Sequence, residues 1–150
     1  MSNFTGVTFA NQHFSPADDA MVRRAILPDG ILTGCDFAYS GFSLTMTEGY
    51  LILCGRQIKH TETQNWDLSG KNFGFARLVL TIDLSRTSTQ TEFDQVVDTV
   101  EYADTLAAFP DLVQEDINIG GTKYQVVACI ASLNSSAISG IIDPMEKISG

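Results

Sequence analysis

Two histidines, three cysteines and eighteen carboxylates are the side chains of this 150-residue chain with the most obvious chemistry. His13 and His60 have no metal-ligand spacing with each other or with Cys35, Cys54 or Cys129. A zinc-type site would therefore need tertiary coincidence. Asp18-Asp19, Glu115-Asp116 and Asp143 could attract a cation, but none has the spacing of a calcium-binding loop. The two carboxylates of a glycosidase meet only in the fold, and a chain this short offers little cleft beyond its own core. Ser69-Gly70-Lys71-Asn72 lacks the upstream glycine and the following hydroxyl of a phosphate-binding loop, and no Gly-x-Ser-x-Gly elbow occurs. The expectation is a non-enzymatic protein, with no catalytic residue, cofactor or metal ligand to assign.

The charge balance narrows the partners. A formal net charge of −9, with Arg23-Arg24 the only adjacent basic pair, argues against a phosphate-binding surface and against adsorption to an anionic membrane. No apolar run approaches the roughly 20 residues that span a bilayer, and the opening residues lack the basic start and apolar stretch of a secretory signal. Neither nucleic-acid binding nor membrane insertion is expected. The three cysteines, each in an apolar run, read as small buried hydrophobes in a reducing compartment. On that reading the glycosylation patterns at Asn3 and Asn134 are coincidental. Only 18% of residues are charged, which leaves neutral surface that another subunit could cover.

The elements that must position these residues are mostly strands. Ser15-Pro16-Ala17-Asp18-Asp19 predicts a helix start: a hydroxyl cap, a proline at the first position, and acids at the positive end of the dipole. Ala17, Ala20, Met21 and Arg24-Ala25 supply its modest apolar stripe. Arg23 and Arg24 suit its last turn, and Pro28-Asp29-Gly30 stops it. A short strand is expected earlier, around Val7 and Phe9. From Gly30 to Lys59, alternating runs are separated by Ser40-Gly41, Glu48-Gly49 and Gly55-Arg56, the pattern of antiparallel strands joined by tight turns. Cys35, Phe37 and Tyr39 fall on one face of the first run; Phe42, Leu44 and Met46 on one face of the second; Leu51 and Leu53 on one face of the third.

Residues 61–73 turn polar and read as a loop, with Trp66 capping the core. Phe75 to Leu84 is the strongest strand signal, and Ala76, Leu78, Leu80, Ile82 and Leu84 form its core face. Phe93 to Tyr102 is the return strand of a long hairpin, and Asp104 to Gln114 has room for a helical turn, broken at Pro110. Tyr124 to Leu133 is nearly continuously apolar and suits a central strand; Ile138 to Ile142 suits a last edge. Gly55 is expected to supply positive φ, with Arg56 either following it outward or making a subunit contact. The whole chain, 1–150, reads as one mainly β domain, an antiparallel β-sandwich of jelly-roll-like kind with one short N-terminal helix.

Gly30-Ile31-Leu32-Thr33-Gly34, Phe42-Ser43-Leu44-Thr45-Met46 and Gly49-Tyr50-Leu51-Ile52-Leu53-Cys54-Gly55-Arg56 resemble a module of tailed-bacteriophage tail-fibre and baseplate proteins. The Phe75–Ser85 stretch, with Pro110-Asp111-Leu112 and Tyr124-Gln125-Val126-Val127, is similar to phage and prophage baseplate components of Gram-positive hosts, including the shoulder region of receptor-binding proteins. The resemblance spans nearly the whole chain and implies a structural or adaptor protein of a tail tip or baseplate. Such a protein would be assembled in the bacterial cytoplasm, carried in the virion, associated with itself as a trimer, and bound to other tail or baseplate proteins. No catalytic residue carries over. A carbohydrate-binding β-sandwich is the alternative, and it would need Trp66 exposed together with Tyr39, Tyr50 or Tyr102 on one surface. A small β-barrel lyase or hydrolase with Asp and Glu as acid and base is a further rival.

Overall fold

The computed structural model describes residues 15–89, 91 and 93–148. The strand expected around Val7 and Phe9, like His13, lies outside the described residues. Helix α1 occupies Pro16–Ile26, as its signals predict. Ser15 Oγ accepts from the Asp18 N–H at 3.1 Å, and Asp19 and Arg23 pair one turn apart at 2.9 Å. Its apolar stripe does not pack as expected. Of the helix only Ala20 is buried, while Met21, Val22 and Ile26 are 46, 53 and 74% exposed. A helix of eleven residues with one fully buried side chain derives little stability from burial.

The rest is mainly β, in three antiparallel sheets around one core. The first sheet holds β1 (Gly30–Gly34), β4 (Gly49–Leu53) and β5 (Arg56–His60) in the order β1-β4-β5. The second holds β2 (Phe37–Ser40), β3 (Ser43–Met46) and β6 (Gln64–Asp67) in the order β2-β3-β6. The third and largest holds β7 (Phe75–Asp83), β8 (Val96–Ala103), β9 (Lys123–Leu133) and β10 (Ile138–Ile142) in the order β10-β9-β7-β8. Leu44 and Met46, Leu51 and Leu53, and Leu78, Leu80 and Ile82 belong to one cluster of buried side chains. The expected mainly β, sandwich-like architecture with one short helix is the observed one.

Several local expectations need correction. Cys35 does not share a face with Phe37 and Tyr39, because Gly34 and Cys35 both have positive φ (65° and 51°) and break the first run into β1 and β2. The chain turns there against the backbone of Glu48-Gly49, where a β-carbon on Gly34 would lie 2.3 Å from the Glu48 carbonyl oxygen. The β4–β5 turn is Cys54-Gly55 rather than Gly55-Arg56: Leu53 pairs with Arg56, and both turn residues have positive φ. That is the two-residue hairpin geometry whose twist matches its strands. So Cys35 and Cys54 sit in turns, and of the three cysteines only Cys129 lies in a strand, although all are buried.

Residues 61–73 contain β6, whose Trp66 pairs with Leu44. A four-residue strand with one apolar side chain leaves no alternation to see. The return strand starts at Val96, not Phe93; Phe93 makes only an isolated bridge to Ser88.

The expected central position of the 124–133 run holds. One edge of β9 bonds to β7. The other bonds in succession to Val113 and Glu115, to Met145 and to β10. Both edges of β9 are therefore bonded within the chain. The helical turn at Leu106–Ala108 leads to Phe109 and Pro110, which cover the outer face of β7. There Arg77, 8% exposed, lies over the Phe109 ring at 4.6 Å and donates to Glu101 at 2.6 Å and to the Pro110 carbonyl at 2.7 Å.

Candidate functional site: the Trp66–Asp98 pocket

Where the inner faces of the three sheets diverge, they leave a pocket of about 360 Å³. Its walls are apolar: Leu51 and Ile58 from the first sheet, Met46 from the second, Leu80 and Val96 from the third. Trp66 stands on one side and Phe93, 63% exposed, at another. Register explains the convergence. Trp66 pairs with Leu44, Ile58 with Leu51, and Asp98 with Leu80, so each partner of a core leucine points to the same interior.

The polar groups form one chain. Trp66 Nε1 donates to Asp98 Oδ2 at 2.8 Å, and Gln64 Nε2 donates to the same oxygen at 3.2 Å. Gln64 Oε1 faces His60 Nε2 at 3.1 Å, and His60 Nδ1 faces the Thr47 carbonyl at 2.8 Å. The His60 and Trp66 rings are nearly parallel, 15° apart, with centroids separated by 6.4 Å. Lys59 lines the rim, but its ammonium lies 5.7 Å from the Tyr50 ring, on the face of β4–β5 opposite Leu51 and Ile58. Asp98 is exposed, and among the described residues it has no cationic partner.

The residues singled out in the sequence are dispersed. Of the histidines, His60 belongs to this pocket. Cys54 lies outside this pocket, where its thiol meets the Arg24 guanidinium and its carbonyl accepts from Asn118 Nδ2 at 2.8 Å. Burial pushes the Cys54 and Cys35 thiols up, and pushes Cys129 up to about 12, so all three are held as inert thiols. Arg56 does not simply follow the turn outward: half-buried, it reaches back to donate to Asn118 Oδ1 at 3.3 Å and to the Ile117 carbonyl at 3.4 Å. Glu115 caps a turn, and the N–H groups of Thr122 and Lys123 hold its carboxyl below the usual range. Asp116 accepts from the Asn118 N–H at 3.0 Å. Among the described residues, no three His, Cys, Asp or Glu side chains are grouped to hold a metal ion.

Trp66 lies half-buried on the inner face of its sheet, in line with Leu44 and Tyr39, and packs against the core. No known family model matches the chain, and no curated protein matches it in sequence. The geometry therefore has to speak for the pocket. It offers an apolar slot with an aromatic wall and one oriented carboxylate. Asp98 drew no attention in the sequence, although it shares a period-two face with Val96 and Val100, and an acid in an apolar row is the signal that marks it.

Proposed function

We propose that this chain is a non-enzymatic structural or adaptor component of a phage or prophage tail tip or baseplate. The reading is supported by where the resembling segments fall: Gly30–Gly34 is β1, Ser43–Met46 is β3, Gly49 to Arg56 is β4 with its turn, and Phe75–Asp83 is β7. They are strands and turns of a shared core, which suits a building block. The net charge of −9 supports protein partners over nucleic acid. No helix among the described residues is long and apolar enough to cross a membrane. Self-association as a trimer is part of the proposal, and the exposed Met21, Val22 and Ile26 side of α1 gives it an apolar surface to use.

Mass spectrometry of purified, nuclease-treated particles from cells carrying the gene, with antibody labelling in electron micrographs, tests the reading. The expected result is the protein in the particles, with label at the distal end of the tail. A protein absent from particles overturns it.

A carbohydrate-binding module is the second reading, favoured by Tyr39, 45% exposed, on the same sheet face as Trp66. A glycan array decides it.

A further inference from the structure

We propose that the Trp66–Asp98 pocket receives a basic side chain, arginine or lysine, from a protein partner. The inference rests on the adaptor reading only in requiring that a protein partner exist.

The chain itself shows what fills such an arrangement. On the outer face of the large sheet, Arg77 lies 4.6 Å from the Phe109 ring centre and bonds Glu101. Near the start of β7, Lys71 lies 3.9 Å from the Phe73 ring centre and pairs with Asp104. In both places a cation joins an aromatic face to a carboxylate. Asp98 and Glu101 belong to the same strand, three residues apart and so on opposite faces. At Asp98 the carboxylate bonds the edge of the Trp66 ring, and among the described residues no cation joins them.

The carboxylate is set for such a guest. The Trp66 and Gln64 N–H groups both bond its Oδ2, which fixes its orientation while adding no positive charge. Leu51, Ile58, Leu80 and Val96 offer apolar walls for the methylene stem of an arginine or lysine. A chain of net charge −9 attracts a basic partner at long range. A sugar would need several free hydrogen-bonding groups. The Gln64 amide and both His60 nitrogens are already engaged with one another, with Asp98 and with Thr47. One carboxylate suits one cation better than a ring of hydroxyls.

Trp66 is the chain's only tryptophan, so its fluorescence reports on this pocket alone. The intact protein is titrated with acetyl-Gly-Arg-Gly-amide, with the peptide carrying neutral citrulline in place of arginine, and with methyl glycosides. The arginine peptide is expected to shift Trp66 emission saturably, with a Kd of about 1–10 mM for so small a probe. The citrulline peptide should bind at least about tenfold more weakly. Asp98→Asn keeps an acceptor for the Trp66 N–H and should lose affinity for the arginine peptide by a similar factor, with an unchanged thermal melt. Equal responses to arginine and citrulline, unchanged binding by the variant, or a response to glycosides alone each overturn the proposal. If Asp98→Asn fails to fold, the comparison of the two peptides on the native chain decides. Particle composition tests the adaptor reading separately, so the two can fail independently.

Discussion

Gly55 and Ala20 touch backbone to backbone: a β-carbon on Gly55 would lie 1.8 Å from the Ala20 carbonyl oxygen. Gly55 also has φ of 77°, which side chains disfavour. Gly55→Ala must therefore both strain the β4–β5 turn and push α1 off the sheet. It is expected to cost about 2–4 kcal/mol, measured as a lowered urea midpoint with loss of helical circular dichroism. An unchanged midpoint would show that the helix moves away freely.

Leu80→Ala removes a side chain from the junction of all three sheets, beside the Trp66 pocket. The expected loss is about 2–5 kcal/mol, toward the low end because the pocket wall can relax into the space. Chemical denaturation at constant slope measures it. A change below about 0.5 kcal/mol would place Leu80 outside the core.

Alkaline pH should destabilise the fold. Burial raises Cys35, Cys54 and Tyr124, and holds Cys129 at about 12. The unfolded chain releases its thiol protons near pH 8.5–9, while the folded chain keeps them. The thiol contribution to stability is then constant below about pH 8 and falls as pH rises from about 9 toward 12, because the unfolded state binds fewer protons. Cys129 alone accounts for up to about 1.4 kcal/mol per pH unit in that window. Denaturation midpoints at pH 7.5 and 10.5 should differ, and Cys129→Ala should reduce the difference.

Light scattering across a size-exclusion peak at micromolar concentration should give three times the 16.3 kDa chain mass. A monomer mass would leave assembly dependent on other tail proteins.

Strand and helix signals were legible where pattern and packing agree. Ser15, Pro16, Asp18 and Asp19 define the start of α1, and Ala76, Leu78, Leu80 and Ile82 identify the core face of β7, because caps and apolar spacing are local properties, whereas the burial of Arg77 and Val79 on its other face comes from tertiary packing. β6 was hidden because its strand character comes from bonding to β3, not from its own four residues. The two left-handed cysteines were hidden for a similar reason: Cys35 and Cys54 take positive φ because the backbone around them demands a turn, although cysteine itself has no preference for it. The pocket was beyond reach, since His60, Trp66 and Asp98 come from three sheets and meet only through long-range register.

The segment at residues 145–148 returns to the beginning of the sheets: Ile31 N–H donates to the Glu146 carbonyl at 2.9 Å, and Ile148 N–H to the Ile31 carbonyl at 2.7 Å, while Met145 N–H reaches Ala128 at 2.7 Å. For a chain emerging from a ribosome, this fixes the timing. β1 is made early, yet among the described residues its outer edge finds its partner only in residues 146–148, and the gap beside β9 is filled by Met145. The domain therefore closes only after translation has passed that point, and nascent chains stalled before it present two bare backbone edges to whatever they meet.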